Sequence, residues 1–165
     1  MLRSIMAEIK STVPKAFEKW YKGKPVADFT KLYPQLTAKS FHIWGHEWNS
    51  PYRMDWFCVT EPFLMINEPH THDFDQFLAF QNADATHVND FDAEVWLYLG
   101  EKGKQEKLVI KESCFVYVPK NTVHTPLEFR IINKPIVFMD IALTSDYVRK
   151  PEDKSKPVMR ERHER

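Results

Sequence analysis

The chain has 165 residues, about the length of one ordinary domain, so two large domains are not expected. Lysine plus arginine and aspartate plus glutamate each number 23, so the formal charge is zero and no global field favours nucleic acid or anionic lipid. With 43% hydrophobic and 14% aromatic residues the chain should fold, and its four glycines disfavour a glycine-rich phosphate-binding loop.

Residues 1–40 are predicted to form a helical N-terminal extension. Apolar side chains recur there at every fourth position, which is typical of a helix with one buried face, at Ile5, Ile9, Val13, Phe17 and Tyr21. Pro14 interrupts the run, so two helical pieces are expected rather than one. The segment is too charged for a signal peptide, and no stretch reaches the ~18 apolar residues of a membrane span.

Residues 41–143 are predicted to form an all-β barrel, because short strand-like runs alternate there with turn-forming residues. One of these runs is AEVWLYL, in which Val95, Leu97 and Leu99 share one face. Large side chains on the other face as well indicate that one face packs a core and the other lines a cavity or an interface.

Residues 144–165 are mostly charged and are predicted to be a solvated C-terminal tail, or an arm that crosses to a neighbouring subunit. Cys58 and Cys114 are the only cysteines, too few for a disulfide scaffold or a cysteine-rich zinc site. A reduced, cytoplasmic setting is therefore expected.

Two segments of the predicted barrel carry metal-ligand residue types. His70 and His72 stand two apart, a spacing that points both rings to one face of an extended strand. Gln76 follows four residues later, and His124 lies in a second strand–turn–strand after Pro119. Imidazole ligands suit Fe, Mn, Ni or Zn and argue against Ca or Mg. The alternative is a pair of surface or hydrogen-bonded histidines without metal.

These residues resemble the two motifs of the cupin superfamily, G-x5-H-x-H-x3,4-E-x6-G and G-x5-P-x-G-x2-H-x3-N. His70, His72 and Gln76 fall on the ligand positions of the first motif, and Pro119 and His124 fall on the second. The sequence departs from the glycines, the acidic ligand and the final asparagine of these motifs, at Leu64, Ala83, Ser113, Asn121, Gln76 and Glu128. Asparagine tolerates the left-handed turn conformation expected at position 121.

The resemblance covers about residues 60–142 and implies a double-stranded β-helix, or jelly-roll barrel, with one divalent metal near its mouth. Its ligands would be His70, His72, Gln76 and His124. A neutral amide in place of a carboxylate leaves the full +2 on the metal, which favours binding of an anionic substrate. The alternative is that Gln76 is only a polar strand residue and that water completes the coordination.

Further site candidates are taken from the same strands. The candidates for acid–base catalysis are Asp75, Glu94 and Tyr98, and the candidates for substrate binding are Trp96 and Tyr117. Asp140 is a further group that can orient a metal-bound imidazole. The remaining histidines are assigned to loops or strand surfaces, at His42, His46 and His87.

Two classes of function remain open at this point. The first is a metal-dependent enzyme that acts on a small oxygen-rich organic acid or phenolic, of the lyase, isomerase or dioxygenase type. The second is a small-ligand-binding or sensor module without turnover. In either case we expect a small anionic ligand and no nucleic-acid or membrane partner. We also expect a homodimer, since the aromatic leading strands offer more apolar surface than one barrel can bury.

Overall fold

The computed structural model describes residues 14–20, 26–27, 29, 33–34, 36, 40–44 and 50–161. Short 3₁₀ helices lie at Lys15–Trp20 and Ala85–His87. The strands are β1 (Val26–Ala27), β2 (Ser40–Trp44), β3 (Arg53–Val59), β4 (Phe63–Ile66), β5 (His70–Thr71), β6 (Gln76–Asn82), β7 (Ala93–Glu101), β8 (Lys104–Ile110), β9 (Cys114–Val118), β10 (Val123–Ile132), β11 (Ile136–Ala142), β12 (Tyr147–Pro151) and β13 (Met159–Glu161).

Two antiparallel sheets face each other. The first has the order β1-β2-β3-β11-β6-β9, and the second has the order β13-β12-β5-β10-β7-β8 with β4 paired to β10 beside β5. From β3 to β11 the chain passes back and forth between the sheets, as in a double-sheet jelly roll. The predicted all-β barrel is therefore confirmed.

The space between the sheets is filled by large side chains, because strand residues alternate between inward and outward positions. In β3, and in β7 from Ala93 to Leu97, every second residue is buried. Phe138 contacts three other core phenylalanines, with ring centroids 5.8 Å from Phe57, 5.1 Å from Phe80 and 5.5 Å from Phe129. Each buried phenylalanine contributes about 1.5–3 kcal/mol of apolar transfer free energy.

The predicted helical N-terminal extension is not supported in its described part. The described residues of 14–40 include a 3₁₀ helix and the strand β1 but no α-helix. Val26 and Ala27 extend along Phe41 and Ser40 of β2, so the sheet rather than a helix satisfies their backbone groups. Leu36 is buried in the barrel core. The apolar repeat at Ile5, Ile9, Val13 and Tyr21 lies outside the described residues, and the structure describes no helix long and apolar enough to cross a bilayer.

The described part of the predicted tail, residues 144–161, differs from the solvated tail that the sequence analysis expects. Strand β12 pairs with β5 through Lys150 opposite Thr71 and Pro151 opposite His70. Tyr147 and Val148 are buried. The sequence does not reveal this strand because its two buried residues are followed directly by Arg149 and Lys150. Charged side chains of this kind are common near sheet edges.

Candidate metal centre

Three histidines converge inside the barrel. His70 lies on β5 directly opposite His124 of β10, and His72 follows two residues after His70. All three are buried, with 2–3% of their surface exposed. Each offers one ring nitrogen, and these three nitrogens lie within 4.8 Å of one another. The spacing of two on an extended segment thus brings both rings to the same face, as the sequence predicts.

Backbone carbonyls hold the other side of each ring. Nδ1 of His70 donates to the Glu68 carbonyl at 2.9 Å, and Nδ1 of His124 donates to the Thr122 carbonyl at 3.1 Å. Nδ1 of His72 donates to the Val148 carbonyl of β12 at 2.6 Å. With Nδ1 carrying the proton, each neutral ring presents an unprotonated Nε2, which is the form that binds metal.

The turn before His124 is built as its sequence indicates. Asn121 has a φ of 65°, the left-handed conformation that asparagine tolerates. Its backbone N–H donates to the carbonyl of His72 at 2.7 Å. This bond joins the two histidine-bearing segments directly, so the turn conformation and the position of the metal-ligand candidates are coupled.

The three rings are held in the neutral form by their surroundings. Burial, and after it the neighbouring His124, lowers the pKa of His70 to about 2. Burial also lowers the pKa of His72 to about 3 and lowers the pKa of His124. The guanidinium of Arg149 contributes to the lowering at all three rings. Nε2 of His70 and of His72 is buried without a hydrogen-bond partner in the described structure.

Gln76 lies on β6 of the first sheet, across the interior from the histidines. Its Nε2 donates to Oδ1 of Asp140 at 2.6 Å and lies 3.4 Å from the hydroxyl of Tyr147. Its Oε1 is buried, and no described group donates a hydrogen bond to it. Gln76, His70 and His124 line the same cavity. Three imidazoles and an amide oxygen form a donor set that fits a first-row transition metal.

The cavity between the sheets is lined by both polar and apolar side chains. Its volume is about 30 Å³, room for about two water-sized groups. The charged and hydrogen-bonding side chains in its lining are Arg53, Asp55, His70, Gln76, His124, Thr125, Asp140, Tyr147 and Arg149. Phe29 and Tyr33 of the N-terminal segment line it as well. The site is therefore a small, partly charged chamber in a mostly apolar barrel.

A buried ion pair lies on the first sheet beside this chamber. Arg53 pairs with Asp55, and Asp55 also accepts from Nδ1 of His42 on the neighbouring strand β2. The guanidinium of Arg53 lies 3.8 Å from the centre of the Tyr147 ring. His42 is thus on a strand but faces inward, whereas His87 is exposed in a 3₁₀ helix as expected. His46 lies outside the described residues.

The structure does not bring Glu94, Trp96 or Tyr98 to the histidines. Val95 and Leu97 take the inward positions of β7, so their neighbours lie on the outer face of the second sheet. There Nε1 of Trp96 donates to Glu94 at 2.6 Å. The hydrogen bond from Lys111 lowers the pKa of Glu94. The sequence correctly predicts the alternation along β7. It does not predict that the face with Val95 and Leu97 points into the barrel and the face with Glu94, Trp96 and Tyr98 points outward.

Asp75 and Tyr117 also lie away from the cavity lining. Asp75 accepts from the backbone N–H of Lys120 at 3.0 Å. Tyr117 is 51% exposed, and its ring lies 5.1 Å from that of Phe77 on the outer face of the first sheet. Asp75 directly precedes Gln76, and Tyr117 directly precedes Val118, the residue paired with Gln76. Because Gln76 and Val118 point inward, their neighbours do not.

The polar cavity residues that sequence analysis missed are Thr125 of β10 and those on β3 and β12. A signal for Arg53 and Asp55 was present, because they share the inward parity of Phe57 and Val59 and are therefore charged residues on a core face. Tyr147 and Arg149 gave no such signal, since their segment had not been recognised as a strand.

The buried neutral histidines generate a pH prediction. Their folded pKa values lie below the unfolded value of about 6.5, so the unfolded chain binds more protons as pH falls. Stability is therefore complete above about pH 6.5. We expect the free energy of unfolding of the metal-free protein to decrease below that pH, by up to about 1.4 kcal/mol per pH unit for each histidine.

Urea titrations with a chelator at pH 7.5, 6.5, 5.5 and 5.0 measure this dependence. His72→Gln should reduce the slope, whereas His87→Gln, an exposed control, should keep it. A free energy of unfolding that stays level between pH 6.5 and 5.0 would contradict the assignment of neutral rings.

Comparisons with known proteins return structural neighbours only. No family model and no curated protein matches the chain. A deletion mutant of Bacillus subtilis oxalate decarboxylase is similar with a TM-score of 0.49 and 9% identity, over 68% of this chain and 27% of that chain. Another oxalate decarboxylase structure gives 0.48 and 14% identity, again over 68% and 27%. The chain thus spans about a quarter of their length.

Proposed function

We propose that His70, His72, His124 and Gln76 bind one divalent transition metal and that the protein is a metal-dependent enzyme acting on a small anionic organic acid. The observation that carries the proposal is the convergence of three ring nitrogens within 4.8 Å in a buried cavity. A buried polar atom without a hydrogen bond costs about 1–3 kcal/mol. A bound metal would remove that cost at Nε2 of His70, Nε2 of His72 and Oε1 of Gln76 together. Histidines with a purely structural role would instead have hydrogen-bond partners at these nitrogens.

The donor set indicates the class of metal, a divalent transition metal, and does not select one element. Three imidazoles favour Fe, Mn, Ni or Zn over Ca and Mg, which prefer oxygen ligands. When bound, the metal supplies Lewis acidity, or oxygen activation if it is iron. The carboxylates of Asp55 and Asp140 line the same cavity, where Asp55 is held by Arg53 and His42 and Asp140 accepts from Gln76 and Tyr147.

With a metal bound, the charge of the cavity would favour an anionic ligand. Arg53 and Arg149 line the cavity together with Asp55 and Asp140, so these side chains carry no net formal charge, and Arg149 lies close enough to lower the pKa of all three histidines. Gln76 is neutral, so a metal ion would keep its full +2 charge. The cavity volume of about 30 Å³ favours a small ligand. A small carboxylate fits this condition better than a phenolic ring.

The free thiols of Cys58 and Cys114 are consistent with a reduced, cytoplasmic setting, which remains part of the proposal. Turnover distinguishes the enzyme from a ligand-binding module with the same cavity. Metal analysis of the purified protein, followed by assays of small carboxylic and hydroxy acids with and without O₂, tests this. Tight binding of such acids without any conversion would assign the protein to the ligand-binding class.

The first prediction for this site concerns the metal itself. His70→Ala and His124→Ala should each lose bound metal while keeping the barrel fold, because the core is apolar and does not depend on metal for folding. Elemental analysis of the purified variants measures the loss, and far-ultraviolet circular dichroism measures the fold. His87→Ala is the matched control and should bind metal like the unmodified protein. Full metal content in both cavity variants would refute the site.

The second prediction concerns Arg149. Arg149→Gln should keep the metal but bind small carboxylates about 10- to 100-fold less tightly, because a hydrogen bond between charged groups contributes about 1.5–3 kcal/mol. Calorimetric titration of the metal-loaded protein measures the change. Lys150→Gln is the control, since Lys150 is exposed and pairs with Asp73. Equal carboxylate affinity in the Arg149 and Lys150 variants would remove Arg149 from the site.

We also propose that the protein forms a homodimer through the outer face of the first sheet. The strand positions that point outward on β3, β6, β9 and β11 are mostly apolar, at Met54, Trp56, Cys58, Phe77, Ala79, Phe115, Tyr117, Val137, Met139 and Ile141. Phe115 is 62% exposed and Tyr117 51%, whereas Ala79 and Val137 are buried. Exposed aromatic side chains on an apolar sheet face are typical of a protein interface.

The third prediction follows from this face. Light scattering at micromolar concentration should return a dimer mass, and Phe115→Lys should shift the mass towards the monomer because a charge is then buried in the contact. Val109→Lys places the same charge on an exposed position of the second sheet and should leave the mass unchanged. A monomer mass for the unmodified protein would contradict the proposed dimer.

A further inference from the structure

We propose that Asp140 and Tyr147 are positioning residues that fix the amide of Gln76 with its oxygen towards the metal. The proposal rests on the proposed metal site and identifies what makes a glutamine, in place of an acidic ligand, suitable there. It concerns the orientation of one side chain and is carried by a closed set of contacts around it.

The orientation of the amide follows from which of its ends can meet Asp140. A carboxylate accepts hydrogen bonds, whereas the amide has a donating nitrogen and an accepting oxygen. With Nε2 at 2.6 Å from Oδ1 of Asp140, the contact is a donor–acceptor pair. A reversed amide would place two acceptor oxygens at that distance. Because the amide is planar, Oε1 then points away from Asp140 and is left buried without a described hydrogen-bond donor.

Tyr147 closes the set and holds Asp140 in place. Its hydroxyl donates to Oδ2 of Asp140 at 3.1 Å and lies 3.4 Å from Nε2 of Gln76. The Tyr147 ring is buried, with the His72 ring 4.8 Å away. Each oxygen of the carboxylate therefore has one donor. An acidic group with both oxygens occupied in this way has a single favoured orientation.

The register of the first sheet brings these side chains together. Gln76 of β6 lies opposite Ala142 of β11, and Asp140 lies two residues along β11 on the same inner face. Diagonal neighbours of this kind on one face of an antiparallel pair are within side-chain reach. The pairing is therefore set by the backbone and not by a chance rotamer.

One consequence is that Gln76 and Asp140 depend on each other. A glutamate at position 76 would place a carboxylate oxygen at hydrogen-bond distance from that of Asp140, and the like charges would repel. The glutamine is then the residue that matches Asp140. Exchanging the two side-chain types restores a donor–acceptor pair, with the acid at position 76 and the amide at position 140.

Titration with Co²⁺, monitored by affinity and by its visible absorption, tests the inference without an activity assay. Asp140→Leu should weaken Co²⁺ binding about as much as Gln76→Leu, and the double variant should be no weaker than either, because the residues act as a unit. Asp140→Asn can accept from Nε2 but can also donate to a reversed amide, so it should weaken Co²⁺ binding by less than Asp140→Leu. Gln76→Glu with Asp140→Asn should bind Co²⁺ at least about tenfold tighter than Gln76→Glu alone.

The outcomes separate the inference from the proposed function. Failure of the unmodified protein to bind Co²⁺ would refute the metal site itself. Co²⁺ binding with an unchanged affinity and spectrum in Asp140→Leu, or additive losses in the double variant, would leave the metal site standing and refute the positioning role. If Asp140→Leu does not fold, the comparison between Gln76→Glu and the exchanged pair decides, and equal affinities there would overturn the inference.

Discussion

Hydrogen bonds from imidazole N–H groups to backbone carbonyls are the interaction on which the candidate site depends. They come from His70, His72 and His124, and their acceptors belong to three separate segments of the second sheet and its loops. A neutral ring can be buried at small cost only if its donor is satisfied. Once it is, the opposite nitrogen is free of its proton and turned to the interior. The backbone thus determines the protonation pattern and the direction of all three rings.

Strand β12 contributes to the centre in three consecutive residues. Tyr147 contacts Asp140 and the His72 ring, Val148 supplies the carbonyl for His72, and Arg149 brings positive charge to the cavity. Its alternation would suggest that only every second residue matters to the interior. The intervening residue acts through its main chain instead, which is independent of side-chain direction. The strand that is least apparent in the sequence is therefore among the most closely connected to the site.

Residue pattern was sufficient for the barrel and for the histidine cluster. The spacing of His70 and His72 needs only an extended backbone to bring both rings to one face, and the turn at Asn121 needs only a residue that tolerates positive φ. The face of β7 could not be chosen from alternation alone, since Trp96 and Tyr98 are as large as the leucines beside them. Core packing decided it, by placing Val95 and Leu97 inside. Strand β12 was missed because its buried residues, Tyr147 and Val148, are too few to give an apolar pattern among the charged residues around them.

The carbonyl of Val148 joins the histidine cluster to the docking of strand β12, which lies between β13 and β5. Because Nδ1 of His72 requires that carbonyl, detachment of β12 from β5 removes the acceptor that sets the ring. Any ion held by His72 must in turn favour the docked strand by the same free energy, since linkage is reciprocal. Local opening of β12 then becomes a route for exchange of the ion that leaves the rest of the barrel folded. The lifetime of the bound ion would be governed by the opening rate of one short strand rather than by unfolding of the whole core.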